Sequence, residues 1–167
     1  MYYKICYLHG KHDRSCKICR PEQALSASVR RCVRGALQRK GIPKIKKTLL
    51  ILGVRSWRVV FDIICKKIAS YNNLFPNNPI QGDFVLDHIK PVCKFKENDM
   101  HLCNHVTNLQ PLPSSLNMRK GSQWSSVDER VWQKKIIKNT RFLDIYLPVA
   151  MMKSLDSWPS KRRKMKW

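Results

Sequence analysis

The chain has 167 residues, enough for one compact domain with appendages or for two small ones. Lys and Arg total 33 against 11 Asp and Glu, a formal net charge of +22 that points to a polyanionic partner, nucleic acid before membrane. A 43% hydrophobic content excludes wholesale disorder, and no run approaches the roughly 20 apolar residues of a membrane-spanning helix.

The N-terminal stretch MYYKICYLHGKHDR lacks a signal-peptide layout, so the expected setting is intracellular and reducing. In that setting the seven cysteines read as metal ligands or buried thiols rather than disulfides. Cys6 and His9 are separated by two residues, as are Cys16 and Cys19. Two such turns bring four N and S ligands to one tetrahedral structural Zn²⁺, which would give residues 1–20 the folding energy that so short a segment lacks.

Residues 21 to 40 are expected as a helix, opened by Pro21 and closed by Gly41 and Pro43. Its exposed face carries Arg30, Arg31, Arg34 and Arg39, with Leu25, Val29, Cys32 and Leu37 opposite. Residues 44 to 52 and 56 to 70 form a second helical pair broken at Gly53, with Val59, Ile63, Ile64 and Ile68 at helical spacing. Cys32 and Cys65 are expected as core thiols. The Asn, Pro and Gly content of residues 71 to 83 marks a loop. FVLDHIKPV, residues 84 to 92, reads as a strand, and a second short strand is expected at 108 to 111. PSSLNMRKGS then reads as a helix start with a Ser cap, and a basic helix is expected over 126 to 140. Cys93, His101, Cys103 and His105 lack the spacing of two knuckles and are not taken as a second metal set.

The segment from Asp87 to Gly121 runs D-H-I-x-P, then N-L-Q-P-L, then N-x-x-K-G. This order resembles the HNH endonuclease family. ASVRRCVRGALQRKG, TLLILGVRSW and LCNHVTNLQPL are similar to segments of its phage and large-virus homing-type members, and CYLHGKHDRSCKIC to their Cys/His modules. The resemblance implies an α+β fold: a zinc knuckle at 1–20, a basic helical region at 21–70, a ββα-metal nuclease unit at 71–124, and a helical extension with a basic tail at 125–167. Where many members carry a Trp-His-Ile-Asp-His approach, this chain has Phe84, Val85 and Leu86 before Asp87.

By the same resemblance, Asp87 and Asn117 would hold one catalytic Mg²⁺ or Mn²⁺, and His88 would be the general base. Asn108 would hold the loop between the strands, and Lys120 would contact phosphate or the transition state. Neighbours on a regular strand point to opposite faces, so Asp87 and His88 share a site only if the strand ends or bends there. The arginines of the first helix and Lys161, Arg162, Arg163 and Lys164 of the tail are the expected duplex-DNA contacts. The implied protein is a monomer or homodimer in the host-cell cytoplasm, with no membrane partner. Two further readings are a zinc-containing nucleic-acid-binding protein without activity and a structural RNA-binding protein.

Overall fold

Helix α1, Pro21–Arg39, opens the described part of the computed structural model, which covers residues 21–42, 48–81, 84–96, 99–138 and 145–151. The expected zinc ligands Cys6, His9, Cys16 and Cys19 lie outside these residues, as do Lys161, Arg162, Arg163 and Lys164 of the tail. One face of α1 buries Leu25, Val29, Val33, Ala36 and Leu37. The helix ends in a Schellman turn: Ile42 N–H donates to Leu37 O, Gly41 N–H donates to Gln38 O, and Gly41 takes the left-handed φ of 65°.

The short helix α2, Thr48–Ile51, closes the same way on Gly53 at φ 68°. Gly53 meets a second constraint, because a Cβ there would lie 2.4 Å from His105 Nε2. The turn and the His105 ring therefore fit together only around glycine. Val106 N–H donates to Leu52 O at 3.0 Å beside that contact.

Helix α3 runs Trp57–Leu74, with Ser56 as its side-chain cap. It extends four residues beyond the end expected at 70, because Tyr71 is buried and stacks near Phe75, and Asn72 Oδ1 accepts Ile80 N–H at 2.7 Å. The asparagines that read as loop thus work from inside a helix. The buried stripe is Val60, Ile64, Lys67 and Tyr71, which leaves Val59 and Cys65 exposed; Cys65 is not a core thiol. Lys67 is tolerated there because its Nζ donates to Thr107 O at 3.0 Å and Leu109 O at 2.7 Å.

Strand β1, Val85–His88, pairs antiparallel with β2, Leu109–Leu112, and Asp87 sits opposite Gln110. Among the described residues between them lie a short helix α4, Met100–Cys103, and the 3₁₀ turns Val92–Lys94 and Val106–Asn108. Helix α5, Ser114–Lys120, follows β2 directly. Its N-cap is Pro113 and not a serine; Ser114 and Ser115 are exposed within the helix. Helix α6, Ser126–Val131, starts with a capping box between Ser125 and Asp128 and passes into a π turn, Trp132–Ile136. Asp128 also accepts from Tyr146 Oη at 2.7 Å and Val149 N–H at 2.9 Å, which fastens residues 145–151 to α6. The described structure is thus mixed helix and sheet, with α1 and α3 packed around the two strands. Its helices include none long and apolar enough to cross a membrane.

Gly53→Ala should destabilise the protein by about 2–4 kcal/mol in denaturant unfolding, the sum of left-handed strain and the clash with His105. Adding His105→Ala should recover the clash component and leave the strain.

Candidate active site

Strand β1 stops at His88 because the chain then turns onto one residue, Asn108, through both its backbone carbonyl and its side chain. Ile89 N–H donates to Asn108 O at 2.7 Å, and Lys90 N–H donates to Asn108 Oδ1 at 3.0 Å. Asn108 Nδ2 donates in turn to Cys103 O at 2.8 Å, and Trp132 Nε1 donates to Asn108 Oδ1 at 2.8 Å. Asn108 is fully buried and ties both ends of the 89–108 connection together.

That turn lets Asp87 and His88 line one cavity of about 670 Å³. Asn117 and Lys120 reach the same cavity from α5, and Arg31, Cys32, Gly35 and Arg39 reach it from α1. Asn108 stands behind it. Arg30 lies elsewhere, its guanidinium 4.9 Å from the Trp57 ring centre, and Arg34 is exposed off the cavity.

The carboxylate of Asp87 is held from two sides. Gln110 Nε2 donates to its Oδ2 at 3.0 Å, and Lys120 Nζ lies 3.1 Å from Oδ2 and 3.2 Å from Oδ1. Burial pushes the Asp87 carboxyl above its ordinary value, while the Lys120 charge and the Gln110 hydrogen bond pull against that rise. Lys120 Nζ also donates to His88 O at 2.8 Å, and its side chain is 1% exposed. The ammonium expected to meet phosphate is therefore placed on Asp87 instead.

His88 is buried, with Nε2 2.9 Å from Asn104 Oδ1. That contact assigns the proton to Nε2 and leaves the lone pair on Nδ1. Burial lowers the His88 pKa to about 4, and the Arg39 and Lys120 charges add to the effect. The imidazole is neutral at neutral pH, and burial makes it a weaker base than an exposed histidine. The Cys32 thiol sits 3.8 Å from Nδ1, with its own pKa pushed up to about 12 by burial, so it is an inert neighbour.

Asn104 and Cys32 are site residues that the sequence motif did not single out. Asn104 lies inside LCNHVTNLQPL, but nothing in its spacing distinguishes it from a loop asparagine. Its Nδ2 is buried and has no hydrogen-bond partner among the described residues. The grouping of Arg31, Gly35 and Arg39 was legible in principle, since the three recur at helical spacing of four.

The described residues contain no cluster of three His, Cys, Asp or Glu side chains able to hold a metal ion. Asp87 and Asn117, the two expected ligands of a divalent ion, line the same cavity. Comparison with protein-family models, with curated proteins and with solved structures found no match.

Two stability measurements check this geometry. Lys120→Met should destabilise by about 3–5 kcal/mol, because it leaves a buried carboxylate without its counter-charge. Between the unfolded histidine value near 6.5 and about 4, the unfolded chain binds a proton at position 88 that the folded chain does not. Metal-free protein should therefore lose roughly 3 kcal/mol as pH falls through that window, a loss that His88→Gln should lack.

Proposed function

We propose that the chain is a metal-dependent HNH-type DNA endonuclease that hydrolyses phosphodiester bonds of duplex DNA. The observation that carries this reading is the convergence of Asp87, His88 and Asn117 on one cavity walled by arginines. The order of β1, β2 and α5, with Asn108 tying the intervening loop, supports this reading, because it agrees with the ββα-metal unit that the resemblance implies. The resemblance in D-H-I-x-P, N-L-Q-P-L and N-x-x-K-G falls on these same elements.

In this reading His88 Nδ1 takes a proton from a water as the water oxygen attacks phosphorus. The P–O3′ bond breaks, the 3′ oxygen takes a proton from solvent, and the products carry a 5′ phosphate and a 3′ hydroxyl. Asp87 and Asn117 would hold Mg²⁺ or Mn²⁺, which supplies charge relief to the phosphate and the leaving oxygen. Asn104 and Cys32 hold the imidazole in place, and Lys120 with Gln110 fixes the carboxylate. One such unit cuts one strand, so a monomer nicks and paired cutting needs a homodimer or two events. The proposal extends to a structural Zn²⁺ on Cys6, His9, Cys16 and Cys19, and to a homing-type role.

A second reading, an inactive nucleic-acid-binding protein, draws on one contact: the Lys120 ammonium occupies the carboxylate that would face a divalent ion. Plasmid incubation with Mg²⁺ or Mn²⁺ separates the two. The wild type should convert supercoiled plasmid to nicked or linear form. His88→Ala should lower the rate by at least about 100-fold, within the usual range for a general base, and leave binding intact. Equal cutting by His88→Ala would remove the assignment, and no cutting by the wild type would favour the binding protein. For the zinc module, about one Zn²⁺ per chain by elemental analysis, lost on changing Cys16 and Cys19 together with a fall in Tm, is the expected result.

A further inference from the structure

Charge builds on the non-bridging oxygens of a phosphodiester under attack, and a protein cation close to them speeds the reaction. Four cationic side chains border the cavity beside His88: Arg31, Arg39, Lys40 and Lys120. Two of them are committed elsewhere. Lys120 Nζ is buried on Asp87 and on His88 O, and Lys40 Nζ donates to Phe95 O at 3.1 Å. Arg31 and Arg39 are exposed, and neither has a hydrogen-bonding or carboxylate partner among the described residues.

These two arginines lie eight residues apart on α1, a rise of about 12 Å. Midway between them, and on the same cavity, is Gly35. Glycine in the interior of a helix is unfavourable relative to alanine. Nothing within the free chain requires it here. Gly35 is absent from the glycines with positive φ, and an added Cβ would meet only Arg39 Nη1, at an ordinary 3.5 Å. What its missing side chain does provide is a notch in the helix wall against which the Arg39 guanidinium lies. The notch opens on the cavity that holds Asp87 and His88.

We propose that this notch is the track of the cleaved DNA strand: its sugar–phosphate backbone crosses α1 at Gly35, and Arg31 and Arg39 grip the phosphate oxygens on either side of the crossing. Arg39 is then a catalytic residue, supplying the phosphate contact that Lys120 is not free to make. The catalytic half of this inference rests on the nuclease reading above; the binding half does not.

The test uses the full chain and a short DNA duplex. Binding is measured across a salt series without added divalent ion, and cleavage is measured with Mg²⁺. The variants are Arg31→Ala, Arg39→Ala, Gly35→Gln and, as a control that removes one positive charge from an exposed site on α3, Lys66→Ala. Arg31→Ala and Arg39→Ala should each reduce the log–log salt slope by about 1, and Arg39→Ala should slow cleavage on the order of 100-fold. Gly35→Gln should raise Tm, because it removes a mid-helix glycine, and yet weaken binding and cleavage, because it fills the notch. Opposite signs for stability and activity would not arise from damage to the fold. If Gly35→Gln binds and cuts like the wild type, or if Arg39→Ala behaves like Lys66→Ala, the track is overturned even where the nuclease reading stands. If the wild type cuts nothing while the Arg31, Arg39 and Gly35 variants still lose affinity, the track stands as a binding groove and the nuclease reading falls.

Discussion

The buried contact of Lys120 with Asp87 organises everything around it. A carboxylate held in an apolar setting needs a counter-charge and hydrogen-bond donors, and it takes them from α5 through Lys120 and from β2 through Gln110. Lys120 reaches one step further, to the carbonyl of His88, so the end of β1 and the last turn of α5 are fixed against each other. Gln110 extends the chain in another direction. Its amide donates to Tyr146 O and accepts from Tyr146 N–H, which links the carboxylate to residues 145–151. The side chain that faces the cavity is thus braced by three parts of the chain that are far apart in sequence.

His88 is braced independently. Asn104 comes from the end of α4 and Cys32 from α1, while Asn108 holds the turn that ends β1. Two neighbouring residues therefore face one cavity while each is anchored to a different set of elements. A regular strand would send them to opposite faces. The turn onto Asn108 at residues 89 and 90 resolves that conflict, and Trp132 and Cys103 complete the buried shell of Asn108.

Much of this was legible in the amino-acid order, and the illegible part has a consistent cause. Pro21 and Gly41 marked α1 because both act locally, through a fixed φ and a left-handed turn. The second strand stood within a residue of its expected place, while the first ended at His88, four residues before the expected end at 92, where the chain turns onto Asn108. What the order did not reveal depends on contacts across the fold. Tyr71 carries α3 through an asparagine pair because a core is waiting for it. Lys67 joins the buried stripe of α3 because the carbonyls of Thr107 and Leu109 receive its ammonium, while Cys65 lies on the exposed side. Lys120 follows Asn117 by one helical turn, as the motif says, but only the packed structure places its Nζ on Asp87. Asn104 carries no spacing signal at all, since its partner is a ring nitrogen sixteen residues away.

The same distinction changes how the large positive charge is understood. Net charge alone treats every lysine and arginine as a candidate contact for a polyanion. Among the described residues three lysines are withdrawn from that role by burial: Lys67 on two backbone carbonyls, Lys120 on Asp87, and Lys90 on Glu129 between the rings of Phe95 and Trp132. These cations hold secondary elements together, and removing any of them would act first on the fold. Along α1 the arginines divide again, with Arg30 over the Trp57 ring and Arg31 and Arg39 on the cavity. Position in the fold, more than the number of charges, decides which cations a phosphate can reach. On α1, Gly35 lies on that cavity midway between Arg31 and Arg39, with the Arg39 guanidinium against it.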